Sequence, residues 1–176
     1  PLYGGALARP FTTHHNALDR KLYLRIATEL YLKRCVVGGI DKVYELGKDF
    51  RNEGVSHKHN PEFTMLETYE AYADYHHVMD MVEQLVSWLA AEIGYEGDLE
   101  FTAPWPRIPL VEAVKQQTGI DVEALRDRDA LAAAMVEKGF HESPSDETWP
   151  QLVDELVGKH VEPKLINPTF ITDYPV

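Results

Sequence analysis

The chain has 176 residues, enough for one domain with a true core, and its 44% hydrophobic and 26% charged residues are ordinary globular usage. Its formal net charge of -12 excludes a segment that grips a nucleic-acid backbone by itself, because phosphate contacts need a dense cationic surface. Cys35 stands alone, which excludes an internal disulfide and a multi-cysteine zinc site, and no apolar run approaches the ~20 residues of a membrane span. With no leader pattern after Pro1, a cytoplasmic setting and no membrane partner are expected.

In chain order, Leu22 to Ile26 reads as a short strand, and Thr28 offers a cap for a helix over Glu29 to Val37, closed by Gly38 and Gly39. A helix running straight through from Ala17 competes, since Leu18, Leu22, Ile26 and Leu30 fit four-residue spacing. Lys42 to Asn52 and Glu62 to Tyr72 read as two antiparallel strands, joined by a polar loop carrying Gly54, Asn60 and Pro61. Val78, Met81, Val82, Leu85, Val86, Leu89 and Ile93 mark the apolar stripe of a helix that ends at Gly94 and should pack on the sheet. Composition shifts there: Gly97, Pro104, Pro106 and Pro109 interrupt regular structure before helical patterns near 110–118, 129–138 and 147–158. Thr169 to Thr172, bounded by Pro168 and Pro175, returns to a strand pattern. The expected organisation is a core over 1–94, an inserted helical subdomain over 95–166 and a return strand over 167–176. The fold class is α+β, an antiparallel sheet flanked by helices with a helical insertion.

Strand geometry says which side chains meet. Successive residues point to opposite faces, so Glu45, Asp49, Arg51 and Glu53 share a polar face while Tyr44, Leu46 and Phe50 share a face that reads as core. On the returning strand Phe63, Met65, Glu67 and Tyr69 project together, setting an aromatic plate, a carboxylate and a phenol in one row. The pairs His14-His15 and His76-His77 are rejected as metal sites, because adjacent strand residues point apart and no further ligands stand at suitable spacing.

Phe50-Arg51-Asn52-Glu53-Gly54, a loop, and then His59-Asn60-Pro61-Glu62-Phe63-Thr64 resemble motif 2 of the class II aminoacyl-tRNA synthetases. The flanks Ala8-Arg9-Pro10-Phe11, Thr13-His14-His15-Asn16 and Glu29-Leu30-Tyr31-Leu32-Lys33-Arg34 are similar to the lysyl branch of that family, and the likeness runs through Asn167 to Pro175.

The resemblance implies an enzyme that activates lysine with ATP and passes it to tRNA(Lys). Arg51 matches the arginine that bridges the amino-acid carboxylate and the α-phosphate, work for which a planar guanidinium fork is suited. Arg51 and Glu53 are thereby the implied catalytic residues. Arg51, Glu53, His59, Asn60 and Phe63 are the implied ATP-binding set, with Phe63 stacking on adenine and Lys58 a further loop cation. Gly5, Glu29, Arg51, Glu67 and Tyr69 are implied to hold the lysine. Magnesium is expected with ATP, but the family's metal ligands match nothing in this chain, so no metal site is expected within it.

Motifs 1 and 3 of the family and its anticodon-binding OB domain also have no counterpart here. The expectation is a partial catalytic domain, inactive alone, from a homodimeric enzyme. Two alternatives stay open: a relative that transfers lysine to elongation factor P or into lysyl-phosphatidylglycerol, and a non-catalytic paralogue that binds a nucleotide or a protein.

Overall fold

A computed structural model describes residues 5–56, 59–141 and 147–175. Lys58 lies outside the described residues. The contacts divide the chain into two compact units, Pro1–Asp74 and Tyr75–Val176, so the composition shift after Gly94 does not coincide with the division.

The first unit opens with an antiparallel hairpin of β1 (Thr12–His15) and β2 (Arg20–Tyr23), in which Thr12 faces Tyr23 and His15 faces Arg20. Between them Asn16–Leu18 makes a single 3-10 turn, where the His15 imidazole accepts the Leu18 N–H at 3.1 Å and Asp19 reverses the chain at φ 45°. A side chain that competes for backbone donors, followed by a left-handed residue, ends any helix through Ala17. That alternative is therefore excluded, and the strand expected over Leu22 to Ile26 lies earlier. The helix α1 (Glu29–Val37) forms as expected and closes at Gly38 and Gly39, the latter at φ +96°. Thr28 does not cap it with its side chain; the residue is buried and its own N–H turns instead toward Glu67.

Strands β3 (Lys42–Phe50) and β4 (Glu62–Glu70) form the expected ladder, pairing Lys42 with Glu70, Glu45 with Glu67, Asp49 with Phe63 and Phe50 with Glu62. The assignment of its faces is reversed. Val43, Glu45, Gly47 and Asp49, with Phe63, Met65, Glu67 and Tyr69, form the covered face, against which α1 packs. Tyr44 and Leu46, expected in the core, are 74% and 66% exposed. Alternation told the faces apart but not which one the unit covers.

In the second unit α2 (Tyr75–Glu92) buries Met79 and Glu83, while Val78, Leu89 and Ile93 of the expected stripe stay exposed. The Glu83 carboxylate accepts the Trp105 N–H at 2.7 Å, and Ser87 donates to the Phe101 carbonyl at 2.5 Å. Helices α3 (Leu110–Thr118), α4 (Arg128–Glu137) and α5 (Trp149–Leu156) match the three expected patterns, and a π-helical turn, Val157–Val161, continues α5. Asp127 caps α4 by accepting the Ala130 N–H, and Thr148 with Gln151 forms a capping box on α5. Leu110, Val114, Leu131, Met135, Leu152 and Leu156 are nearly or wholly shielded from water and make the core, each contributing roughly 1.5–3 kcal/mol of apolar burial. The last strand, β6 (Phe170–Thr172), pairs in parallel with β5 (Arg107–Pro109), a strand concealed in the sequence by Pro106 before it and Pro109 at its end. The return strand expected over 167–176 thus pairs with β5 inside the second unit. Among the described residues the architecture is α+β with three two-stranded sheets, two of them antiparallel.

Candidate active site

The covered face of β3 and β4 brings together most of the residues singled out from sequence. Arg51 stands one residue beyond β3, where its N–H still bonds the Pro61 carbonyl at 2.9 Å. Its guanidinium carbon lies 5.0 Å from the Phe63 ring centre, and its Nε donates to the Ile26 carbonyl at 3.4 Å. An aromatic shelf and a backbone acceptor therefore hold one edge of the guanidinium, and its remaining donors suit a planar anion.

Glu67, farther along the same face, accepts the Thr28 N–H at 3.4 Å on one oxygen and the Tyr69 hydroxyl at 2.9 Å on the other. Burial, reinforced by the Glu67 carboxylate, pushes the Tyr69 phenol above the ordinary tyrosine range, so it remains a donor. Glu29 opens α1 beside them and pairs with Lys33, whose ammonium lies 5.7 Å over the Tyr69 ring. Gly5 completes the group at φ +82°, where a Cβ would come within 2.7 Å of Ala27 Cβ and 3.0 Å of a Glu29 carboxylate oxygen. Only glycine fits such a backbone. Gly5, Glu29, Glu67 and Tyr69 thus form one cluster rich in carboxylate, the environment that a cationic side chain requires.

The loop residues are placed differently. His59 and Ser56 exchange both backbone bonds, and the Ser56 hydroxyl meets His59 Nδ1 at 2.9 Å, so this exposed histidine closes a turn. Asn60 follows, exposed. Glu53 is exposed in a bend, its N–H bonded to the Arg51 carbonyl; β3 has ended, and strand alternation no longer carries its side chain to the Arg51 face.

Two charged residues of this face had no role in the sequence reading. Asp49 is fully buried and neither carboxylate oxygen has a hydrogen-bond partner, while Arg25 Nε lies 3.4 Å from Oδ1. Burial pushes its carboxyl up, against the pull of the Arg25 guanidinium. Asp49 shares the alternation of Glu45 and Arg51, so its facing was readable; its burial under Arg25 was not.

Magnesium does not fit the carboxylates of this face. Glu45 and Asp49 meet the Arg25 guanidinium, and Glu67 is taken by two donors, whereas the ion needs near-octahedral oxygen and water around it. His14 pairs with Asp19, and His76 lies in α2 against the Tyr75 ring, on a helix and not the strand assumed for it. Among the described residues the group able to hold a metal is His141, Glu147 and Glu155 in the second unit, where Lys159 also pairs with Glu155.

Comparison with known proteins gives the context. A family model described as tRNA synthetases class II (D, K and N) matches residues 1–176. Proteins named lysine–tRNA ligase are 57% identical in Dehalococcoides mccartyi (strain ATCC BAA-2266 / KCTC 15142 / 195), 54% in Chloroflexus aurantiacus and 52% in Moorella thermoacetica. Each alignment covers 100% of this chain, and the chain spans only 36% to 37% of these relatives.

Proposed function

The chain belongs to the class II tRNA synthetases (D, K and N), and from that premise we propose that it is the motif 2 part of an enzyme that activates lysine with ATP and transfers it to tRNA(Lys). The observation carrying the proposal is Arg51, held on the Phe63 shelf on the same face as the Gly5, Glu29, Glu67 and Tyr69 cluster.

In this assignment adenine stacks on Phe63 and the α-phosphate meets Arg51, while the ammonium of lysine lies among Glu67, Tyr69 and Glu29. A carboxylate oxygen of lysine attacks the α-phosphorus, the bond from that phosphorus to the bridging oxygen breaks, and pyrophosphate leaves. Arg51 joins two anions that would otherwise repel and stabilises the charge that grows on the phosphoryl oxygens. Magnesium would accompany the nucleotide and supply neutralisation of phosphate charge, and Glu45, Asp49 and Glu67 would not be its ligands. Glu53, His59 and Asn60 edge the nucleotide in this assignment, with Glu53 requiring rearrangement of its bend. A terminal ribose hydroxyl of tRNA then attacks the lysyl carbonyl and releases AMP. A homodimer in the cytoplasm is the proposed setting. Among the described residues no helix is long and apolar enough to cross a membrane.

Lysine-dependent exchange of labelled pyrophosphate into ATP tests the proposal. A polypeptide of the relatives' full length carrying these residues should exchange with lysine, and the isolated 176 residues should not. Exchange with aspartate or asparagine alone would reject the lysine assignment.

A further inference from the structure

Arg51 and Glu67, the two groups central to the proposed reaction, both hang on one short segment. Arg51 Nε donates to the Ile26 carbonyl, and the Thr28 N–H donates to Glu67. The segment is irregular, with neither helix nor strand to fix it. Its attachment to β3 is made by Arg25: the Arg25 carbonyl accepts the Phe50 N–H at 2.9 Å, its Nε donates to the Lys48 carbonyl at 2.7 Å and its guanidinium pairs with Glu45. The side chain crosses β3 at Gly47, where a Cβ would collide with Nη2. Beneath it lies Asp49, 0% exposed and without a hydrogen bond.

A buried carboxylate with no hydrogen bond is a poor way to stabilise a hairpin, since an apolar residue would avoid the desolvation entirely. Its neighbours give it another use. Asp49 lies among two guanidinium groups, Arg25 and Arg51, and two carboxylates, Glu45 and Glu67, and Arg25 Nε is 3.4 Å from its Oδ1, so a charge on Asp49 attracts Arg25 toward β3. We propose that Asp49 is a positioning residue: acting through Arg25, it fixes the Arg25–Thr28 segment that aims Arg51 and Glu67. The inference rests on the function proposed above.

The test uses the full-length polypeptide and compares wild type with Asp49→Asn and Arg25→Met, reading pyrophosphate exchange and melting temperature together. Displacing a reacting group by about 1 Å costs about 100-fold, so both variants should lose roughly 10- to 100-fold in kcat with a small change in the KM for ATP. The Asp49→Asn protein should melt no lower than wild type, because a desolvated charge has been removed. Unchanged kcat, or a melting temperature that falls in Asp49→Asn, overturns the proposal. Exchange is measured with lysine, aspartate and asparagine. Wild type that uses one of the latter two rejects the lysine assignment while the Asp49 comparison proceeds on that substrate, and wild type that uses none rejects both readings together.

Discussion

The Arg51 guanidinium lies 5.0 Å from the ring centre of Phe63, whose Cα faces Asp49 across the β3–β4 ladder. The contact separates two jobs that mutation can resolve. A lysine at position 51 keeps the charge but loses both the stacked plane and the fork, so Arg51→Lys should lower kcat by about 10²–10³-fold, the range seen when a preorganised donor is removed. Phe63→Ala should act on binding instead. Stacking on an aromatic ring contributes roughly 1–3 kcal/mol per base, so the KM for ATP should rise about 5- to 150-fold. Steady-state pyrophosphate exchange resolves the two, and a large kcat loss in Phe63→Ala with unchanged KM would refute the shelf.

Gly5→Ala tests the packing of the carboxylate cluster. At φ +82° an added methyl strains the backbone, and it meets Ala27 Cβ at 2.7 Å and a Glu29 oxygen at 3.0 Å. Glu29 must move, so the KM for lysine should rise at least roughly tenfold, because one misplaced partner of a desolvated ammonium costs several kcal/mol. The KM for ATP should stay near wild type. Equal effects on both substrates would mean that the glycine serves the fold alone.

Tyr69 offers a test in which pH and stability are read together. Its phenol donates to Glu67 at 2.9 Å, and burial holds its folded pKa above the ordinary value of 10.0. A raised folded pKa gives stability that is complete below pH 10 and is lost as pH rises toward the folded value. Tyr69→Phe should therefore be less stable at neutral pH by about 1.5–3 kcal/mol, as for a hydrogen bond to a charged group. Above pH 10 its urea midpoint should fall less steeply than that of wild type. Parallel curves would show that the phenol is not held as described.

The legibility of this site in sequence follows the physics of each element. The Glu45, Asp49 and Arg51 alternation, and that of Phe63, Glu67 and Tyr69, were readable because strand side chains have a fixed period of two. Which face is covered was not readable, since Tyr44 and Leu46 look like core and become covered or exposed only through what packs on them. Arg25 left no periodic signal because it works from an irregular segment, joined to β3 through backbone carbonyls that any residue type supplies. Strand β5 was concealed because a parallel partner 63 residues away, Phe170 for Arg107, gives no local turn or alternation. Helices α4 and α5, by contrast, carry their own caps.

Glu155 gives an acid-side prediction confined to the second unit. Its carboxyl is held below the ordinary 4.5, first by the hydrogen bond from Lys159 and then by His141, whose Nε2 lies 3.1 Å away. A depressed folded pKa contributes stability that is present above 4.5 and lost as pH falls through the folded value. The urea midpoint of the wild-type chain should drop on acidification from pH 6 toward pH 3, and Glu155→Gln should start lower at pH 6 and drop less. Asp49 works in the opposite sense, because its raised pKa removes stability as pH climbs through the acid range. Subtracting the Glu155→Gln curve from wild type cancels that term, since the two residues lie in separate units, share no ion-pair partner among the described residues and independent sites add. A difference curve that stays flat from pH 6 to pH 3 would refute the ion-paired geometry at the C-terminal end of α5.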